Sequence, residues 1–559
     1  MPTPRDETGM TKTPGLETSL IIRSLALVSV VCALVYLPWL GTAWFAASEG
    51  HRVVPAWTMA HLHDFSVSEM FERGYIRKPP GIAWAIALFF QTFGFSTWSA
   101  RAVSALSAAV AACSAYLFAR RWFNDSASAA PGPRANAAAL SVGLAQALLP
   151  LLWLPGGPGR TAEIEMLLLL GTQWAALALV TLLLPRTIAR PSWVSRIFLL
   201  ALVAAGCFIA GITKGAASLP VLLGVLGACF VIRRDADTPL PLRDGIKPLA
   251  AAAIGCAGAF LLVRHIWSLN DGPTAVHETG SFLWTDIAGV VSAPFIALAS
   301  AAPVSLALVF IPGRDARAEA AANPTLSRAR TVARLLAIAW CLSALTYFAT
   351  GVSNPRYLLP ATVLLPGAVG YVVLGLGDFG ERRRRIARLL LLGRGHAWVV
   401  LLSLGALVSA YLFAHRQEAQ AGREAGEEIA VHHPPVIIAD GLIEARPDIL
   451  LAARLSMLSK SPPRVLWKKP VNESWSLKPA IERDQASSVA YALRIDEGHD
   501  ERPALAASLG LSVADLLERA RGRVGRYEWA LVDVPPRAEN AQQPPAAPSS
   551  ATESGAQAR

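Results

Sequence analysis

Long apolar stretches recur along most of the chain and are separated by short polar segments. A helix of about 20 apolar residues crosses the ~30 Å hydrocarbon core of a bilayer. About eleven stretches reach that length, near residues 21–40, 101–120, 136–155, 164–184, 196–213, 216–232, 248–266, 288–312, 334–350, 357–377 and 397–414. The pattern predicts a polytopic α-helical membrane protein with about eleven transmembrane helices over residues 20–414.

A further apolar patch, Gly81–Phe95, is interrupted by Gln91 and Gly94. Counting it as a span would invert the side of every later loop. We therefore predict a helix that lies in the membrane interface, within a long extracytoplasmic loop over residues 42–100.

Basic residues set the orientation, because Lys and Arg are enriched in cytoplasmic loops. With the tail 1–19 inside, every basic cluster falls on the cytoplasmic side: Arg120, Arg121 and Arg134; Arg186 and Arg190; Arg233, Arg234, Arg243 and Lys247; Arg314, Arg317, Arg328 and Arg330; and Arg382 to Arg385 with Arg388 and Arg394. An odd number of spans then places the chain after His415 outside. The sequence predicts a multi-pass protein of the inner (cell) membrane.

The pattern changes after the last span. Short apolar runs predict strands and longer amphipathic runs predict helices, which together indicate a small soluble α/β domain over residues 415–535 on the extracytoplasmic side. The strands are expected at 435–439, 464–467, 489–495 and 529–532, and the helices at 443–458 and 513–521. Residues 536–559 are rich in Pro, Ala, Gln and Ser and are predicted to be disordered.

Composition agrees with a chain that mostly faces lipid. The 559 residues are 53% hydrophobic and 16% charged, against about 25% charged residues in an ordinary globular protein. The net charge of +11 comes from clusters between spans, so we expect no nucleic-acid partner. The six cysteines all lie in apolar segments and indicate neither a disulfide framework nor a zinc motif.

Ionisable residues at the predicted outer ends of the spans are the candidates for chemistry. Such residues at membrane depth are costly and are usually functional, although Lys and Arg near a helix end also snorkel to the interface. Because these residues are all predicted on the same side of the membrane, a functional role is favoured over snorkelling. They are Glu49, His51, His61, His63, Asp64, Glu69, Glu72, Lys78, Arg160, Glu163, Glu165, Lys214, Arg356 and Tyr357.

The cations Lys78, Lys214 and Arg356 suit the phosphate of a lipid, and a nearby carboxylate suits removal of a proton from an attacking hydroxyl or amine. This combination predicts sugar transfer from a polyprenyl-phosphate donor, with the cations stabilising the departing phosphate.

Four motifs resemble those of a known family. Residues 75–106, YIRKPPGIAWAIALFFQTFGFSTWSARAVSAL, are similar to aromatic-x-x-K-P-P, an interfacial helix, F-G and A-R-x-x-S-A-L. The segments EIEMLLLL (163–170), ITKG (212–215) and NPRYLLP (354–360) resemble further motifs. Over roughly residues 20–380 the chain resembles the integral-membrane glycosyltransferases of the GT-C fold, in particular the aminoarabinose transferase and bacterial protein O-mannosyltransferase group.

The resemblance implies a polyprenyl-phosphate sugar donor, inversion at the anomeric carbon, and a donor phosphate held by Lys78, Lys214 and Arg356 with Tyr357 and Arg77. The chain departs from the pattern at two positions. Ser48 stands where the family carries the Asp of an acidic pair, so the candidate catalytic carboxylates are Glu49, Glu163 and Glu165, with Glu49 preferred. Arg77 replaces an acidic residue.

Several alternatives remain open at this stage. A divalent metal is possible, because His51, His61, His63 and Glu49 are potential ligands, although His61 and His63 would point to different faces of a helix. A transporter or flippase of lipid-linked glycans would also need cations for a lipid phosphate, but it should show inverted repeats. Because Ser48 replaces the Asp of the family's acidic pair, the chain could also be a relative of these enzymes that has lost catalysis. The acceptor, whether lipid, glycan or protein, is not readable from these residues.

Overall fold

The computed structural model contains two compact units, residues 1–420 and residues 421–559. The structure describes residues 14–45, 47–71, 74–123, 133–154, 157–184, 192–235, 242–271, 287–312, 317–318, 321, 323–352, 354–390, 396–416, 419–434, 436–439, 447–456, 464–467, 488–494, 512, 514, 517–524 and 527–533. The predicted disordered tail 536–559 lies outside the described residues.

The first unit is helical. Its described helices are α1 (Pro14–Tyr36), α2 (Gly50–Leu62), α3 (Gly81–Phe93), α4 (Thr97–Phe123), α5 (Pro133–Ala147), α6 (Pro150–Trp153), α7 (Glu165–Leu183), α8 (Trp193–Lys214), α9 (Leu219–Asp235), α10 (Leu242–Asn270), α11 (Ile287–Ser300), α12 (Pro324–Ala349), α13 (Leu359–Thr362), α14 (Pro366–Gly375), α15 (Glu381–Leu390) and α16 (His396–Ala414). Short 3-10 turns cover Ala47–Glu49, Gly215–Ser218, Val304–Phe310 and Pro355–Leu358.

Among the described residues, eight helical runs are long and apolar enough to cross a membrane, or ten if each of two bent pairs is one span. One of the eight is the 41-residue run Trp193–Arg233, which would measure about 60 Å if straight, twice the hydrocarbon thickness. Each of the eleven predicted ranges overlaps one of these runs or bent pairs, and some extend a few residues beyond it.

The 41-residue run contains a reversal of the chain. At the end of α8, Lys214 contacts Glu165 at the start of α7. Near the end of α9, Arg233 donates hydrogen bonds to the carbonyls of Leu183 and Leu184 at the opposite end of α7. The chain therefore turns back between α8 and α9, where Gly215 has a φ of 60°. The run holds two antiparallel helices, as predicted for 196–213 and 216–232.

Basic residues gather at the end of the bundle opposite Glu165. Arg120, near the end of α4, forms an ion pair with Glu17 of α1. Close by, the Trp122 indole donates a 3.0 Å hydrogen bond to Thr181, two residues before Leu183. Arg120 and Arg233 therefore lie at one end of α7, and Glu165 lies at the other.

The described part of the long loop 42–100 contains the helices α2 and α3. Its helix α2 buries Val53, Val54 and Met59. The 13-residue α3 would span only about 20 Å, too short to cross a bilayer. It ends at Gly94 with a φ of 78°, as the glycine interruption predicts; its position in the interface remains a prediction.

The second unit contains helices α17 (Ala421–Val431) and α18 (Pro447–Ser456) and the strands β1 (Val436–Ala439), β2 (Arg464–Trp467), β3 (Ser488–Arg494), β4 (Leu517–Val524) and β5 (Tyr527–Asp533). The strand order is β2-β1-β3-β5-β4. β1 is parallel to β2 and β3, whereas β5 is antiparallel to β3 and β4. The sheet is therefore mixed.

One predicted element in this unit is wrong. A helix was expected over 513–521, but residues from Leu517 onward form β4, paired with β5 through a register shift between Glu518 and Ala520. The segment is rich in Leu, Glu, Arg and Ala, which favour helices locally. Pairing with a neighbouring strand overrides that weak preference.

The structure places Arg121 and His415 at opposite ends of the first unit, because Tyr411 of α16 contacts Trp39 beyond the end of α1, whereas Arg120 contacts Glu17 near its start. We predict that reporter fusions after Arg121 and after His415 will report different compartments, with Arg121 cytoplasmic. The same compartment from both fusions would show that the number of crossings between them is not odd.

Candidate functional site

Five separate segments meet at the end of the bundle away from the basic clusters. They are the turn that leads into α2, the loop before α3, the turn before α7, the end of α8, and the turn before α13. These segments carry Ser48, Arg52, Tyr75, Lys78, Glu163, Glu165, Lys214, Arg356 and Tyr357. These include six of the eight residues predicted for catalysis or phosphate binding: Lys78, Glu163, Glu165, Lys214, Arg356 and Tyr357.

The centre of the site is Glu165, the first residue of α7. Its side chain is only 1% exposed, and its Oε1 lies 3.2 Å from Lys214 Nζ and 3.2 Å from Arg356 Nε. The Lys214 ammonium also lies 3.8 Å from the centroid of the Tyr357 ring, a favourable cation–π contact. Two cations thus converge on a single carboxylate oxygen.

Glu163 lies two residues earlier, in the turn that precedes α7. The Ser48 hydroxyl donates a hydrogen bond to its Oε1, and Arg52 Nε lies 3.9 Å from its Oε2. That second oxygen is buried and has no hydrogen-bond partner among the described residues. Burial raises the pKa of Glu163, partly offset by the charge of Arg52. The carboxylate is therefore oriented through Oε1, while Oε2 has no hydrogen bond among the described residues.

Arg52 was not anticipated from the sequence. It is buried in the first turns of α2, and its Nη1 donates a 3.0 Å hydrogen bond to the Tyr75 hydroxyl. The contact joins α2 to the segment that carries Lys78. A basic residue three positions after Glu49, in a helix that buries its apolar residues, was the available signal.

Glu49, the preferred catalytic base from the sequence, has a different environment. Arg101 of α4 binds both of its oxygens at 2.8 Å, and the Ala162 backbone N–H donates a third hydrogen bond at 2.8 Å. Glu49 and Arg101 are each 1% exposed. This carboxylate is thus occupied by structural contacts, which argues against its predicted role in proton transfer.

Arg101 uses its whole guanidinium group. Besides the two bonds to Glu49, it donates to the backbone carbonyls of Leu40, Ala43 and Trp44 at 2.8–2.9 Å. All five N–H donors of an arginine are therefore satisfied. Arg101 was visible in the sequence within the A-R-x-x-S-A-L motif, but its anchoring role was not.

The phosphate-site candidates Arg77 and Lys78 lie half-buried in the loop before α3. Gly81 lets this loop approach α8, because a Cβ there would lie 2.7 Å from the Ile212 carbonyl oxygen. As a result, the segment that carries Lys78 lies against the end of α8, which carries Lys214. The end of α10 secures the loop, since Asn270 donates to the Ser66 carbonyl and accepts from the Ser68 N–H.

Arg160 does not pair with the acidic residues that follow it. It donates hydrogen bonds to the carbonyls of Val35 and Pro38 at the end of α1. It therefore fixes the turn before α7 against the first helix.

Among the described residues, His51, His61 and His63 do not come together as metal ligands. His51 stacks on Tyr75 and His61 on Trp57, while His63 terminates α2 in a left-handed conformation. In the part of the chain that the structure describes, no three His, Cys, Asp or Glu residues converge as metal ligands. The possible divalent metal of the sequence analysis has no ligand set there.

A helical membrane bundle with clustered charges at one end agrees with the predicted class of integral-membrane glycosyltransferases. Residues 77–228 match the model of the dolichyl-phosphate-mannose-protein mannosyltransferase family. This segment includes Lys78, Glu163, Glu165 and Lys214. Comparison with curated protein sequences gave no significant match.

Two solved structures share the fold. ArnT from Cupriavidus metallidurans in the apo state matches with a TM-score of 0.59 and 15% identity. The same protein bound to undecaprenyl phosphate matches with a TM-score of 0.56 and 17% identity. Each comparison covers 92% of this chain and 98% of ArnT. The predicted resemblance to GT-C glycosyltransferases is therefore confirmed.

The Glu49–Arg101 pair gives a stability prediction. Arg101→Ala should destabilise the purified protein by about 3–5 kcal/mol, because it leaves a buried carboxylate without its partner. Thermal unfolding in detergent measures the effect. The control is Arg385→Ala, which removes an exposed pair with Glu381 and should cost no more than about 0.5 kcal/mol. Equal melting temperatures for the two variants would contradict the anchoring role.

Proposed function

We propose that this protein is an inverting glycosyltransferase that moves a sugar from a polyprenyl-phosphate donor to an acceptor on the outer face of the inner membrane. The observation that carries the proposal is the convergence of Lys214 and Arg356 on the buried Glu165, beside Glu163. The confirmed fold and the family match over residues 77–228 support it.

The donor phosphate would be bound by Lys78, Lys214 and Arg356, with Arg77 and Tyr357 beside them. Charge-assisted hydrogen bonds to phosphate are among the strongest polar contacts in proteins. The undecaprenyl phosphate bound in one ArnT structure supports a polyprenyl lipid as the ligand. The identity of the sugar does not follow from these contacts.

We assign the general base to Glu163 instead of Glu49. In the proposed step, Glu163 Oε2 takes the proton of the acceptor hydroxyl or amine, whose heteroatom bonds to the anomeric carbon. The bond from that carbon to the phosphate oxygen breaks, and its electron pair leaves with the phosphate. A single displacement inverts the anomeric centre. Ser48, at the position of the family's Asp, would orient the base through its hydrogen bond to Oε1.

The placement of the site favours transfer over transport. Transporters bind their substrates near the middle of the membrane, between repeats that alternate in access. Here the described cluster of buried charges is at one end of α7. We infer that this end, and the second unit as a soluble domain, face the outside of the cell.

The function is tested by deleting the gene and comparing envelope glycolipids and glycoproteins by mass spectrometry. We expect one class of glycan-modified lipid or protein to lose a sugar, and plasmid-borne wild type to restore it. An unchanged envelope, together with no transfer from membranes that contain polyprenyl-phosphate sugars, would contradict the proposal.

For the phosphate site, we predict that Lys78→Ala lowers transfer strongly when the donor is limiting. A hydrogen bond to a charged group contributes about 1.5–3 kcal/mol, which corresponds to a loss of roughly 10-fold to 100-fold. Lys78→Arg should also lose activity, because a planar fork does not replace a compact point charge. Initial rates against donor concentration measure both effects, and a wild-type rate for Lys78→Ala would refute the assignment.

For the base, we predict that Glu163→Gln reduces transfer by about 10²–10⁴ while donor binding is retained. In the wild type, kcat/KM should fall as the pH drops through the raised pKa of Glu163, because a base must be deprotonated. Ser48 donates to the ionised carboxylate and lowers its pKa. Ser48→Ala should therefore move the acidic limb of the pH profile to higher pH. An unmoved limb would show that Glu163 is not the titrating base.

A further inference from the structure

Glu165 occupies the place where an anionic ligand would be expected. The Lys214 and Arg356 cations both lie 3.2 Å from its Oε1. Its Oε2 has no hydrogen-bond partner among the described residues although the side chain is almost fully buried. An arginine that simply orders a carboxylate commonly engages both oxygens. Here the two cations share one oxygen, as they would share a phosphate oxygen.

We propose that Glu165 is a resident counter-ion that competes with the lipid phosphate for Lys214 and Arg356. This inference rests on the proposed function, since it takes polyprenyl phosphate as the ligand. Carboxylate and phosphate oxygens accept the same charge-assisted hydrogen bonds. A phosphate that binds must therefore weaken the contacts of Glu165 with these cations.

The two cations differ in their freedom to change partner. The Lys214 side chain is 9% exposed and lies against the Tyr357 ring, whereas the Arg356 side chain is 37% exposed. Arg356 is therefore the cation that turns from Glu165 to the phosphate. When the phosphate leaves, Glu165 recovers Arg356, so the empty site holds less uncompensated positive charge than it would without Glu165.

This competition would favour release of the product lipid. Sugar transfer converts a phosphodiester with one negative charge into a phosphomonoester with up to two, and the monoester binds more strongly to the same cations. Product release limits turnover in many enzymes. A built-in competitor for the cations weakens the complex with the product and shortens its lifetime.

The test measures the affinity of the purified full-length protein in nanodiscs for undecaprenyl phosphate. We expect Glu165→Gln to bind about tenfold more tightly than wild type, because one attractive charge for the cations is removed. We also expect kcat and KM for the donor to fall together. If Glu165 only orients Lys214 and Arg356, the Glu165→Gln variant should instead bind undecaprenyl phosphate more weakly than wild type.

The matched control is Glu17→Gln. It removes the same charge and also breaks an ion pair, with Arg120 at the opposite end of the bundle. Its affinity for undecaprenyl phosphate should equal that of wild type. A gain in both variants would assign the effect to net charge and overturn the inference.

The outcomes separate the two proposals. If wild type binds undecaprenyl phosphate and Glu165→Gln binds equally or more weakly, the counter-ion role is refuted and the proposed function stands. If wild type has no affinity for the lipid, the proposed function itself fails. If Glu165→Gln does not fold, Glu165→Asp is measured in its place, because its carboxylate lies one methylene further from the cations. If Glu165 competes with the phosphate, this variant should bind undecaprenyl phosphate more tightly than wild type. If Glu165 only orients the cations, it should bind the lipid more weakly.

Discussion

The bidentate contact between Arg101 and Glu49 is the interaction on which the candidate site depends. Burying two charges costs several kcal/mol for each ion unless their hydrogen bonds are satisfied. Arg101 meets that condition through the carbonyls of Leu40, Ala43 and Trp44, and Glu49 through the Ala162 N–H. The pair therefore ties the loop after α1 to the turn before α7.

This anchoring divides the three acidic candidates into different roles. Both oxygens of Glu49 accept hydrogen bonds from Arg101. Glu163 accepts a hydrogen bond from Ser48 at one oxygen only. Glu165 lies between the two cations Lys214 and Arg356. The sequence favoured Glu49 as the catalytic base because it is next to Ser48, which stands at the position of the family's Asp. Hydrogen-bond occupancy favours Glu163 over Glu49, since a base needs a lone pair that is not already engaged.

The sequence was most informative where a physical constraint is local. About 20 apolar residues in a row are enough to indicate a span, so each predicted range overlaps a helical run or a bent pair. Lys78, Lys214 and Arg356 were recognisable as cations at the outer ends of spans. The partners of Glu49 were not, because Arg101 lies 52 positions away and Ala162 lies 113 away. The strand at 517–524 was missed for the same reason, since its pairing with β5 outweighs its local helix preference.

The balance of charge in the site suits the proposed reaction. Arg52, Lys78, Lys214 and Arg356 outnumber the two carboxylates Glu163 and Glu165 by two positive charges, while Glu49 and Arg101 neutralise each other. A donor phosphodiester offsets one of these charges, and the departing phosphate gains a second negative charge as the sugar leaves. The attraction therefore grows along the reaction, which lowers the barrier more than it stabilises the bound donor. In the proposed mechanism, Glu165 weakens the attraction between these cations and the phosphate. The site can therefore stabilise the departing phosphate during transfer and still release it afterwards.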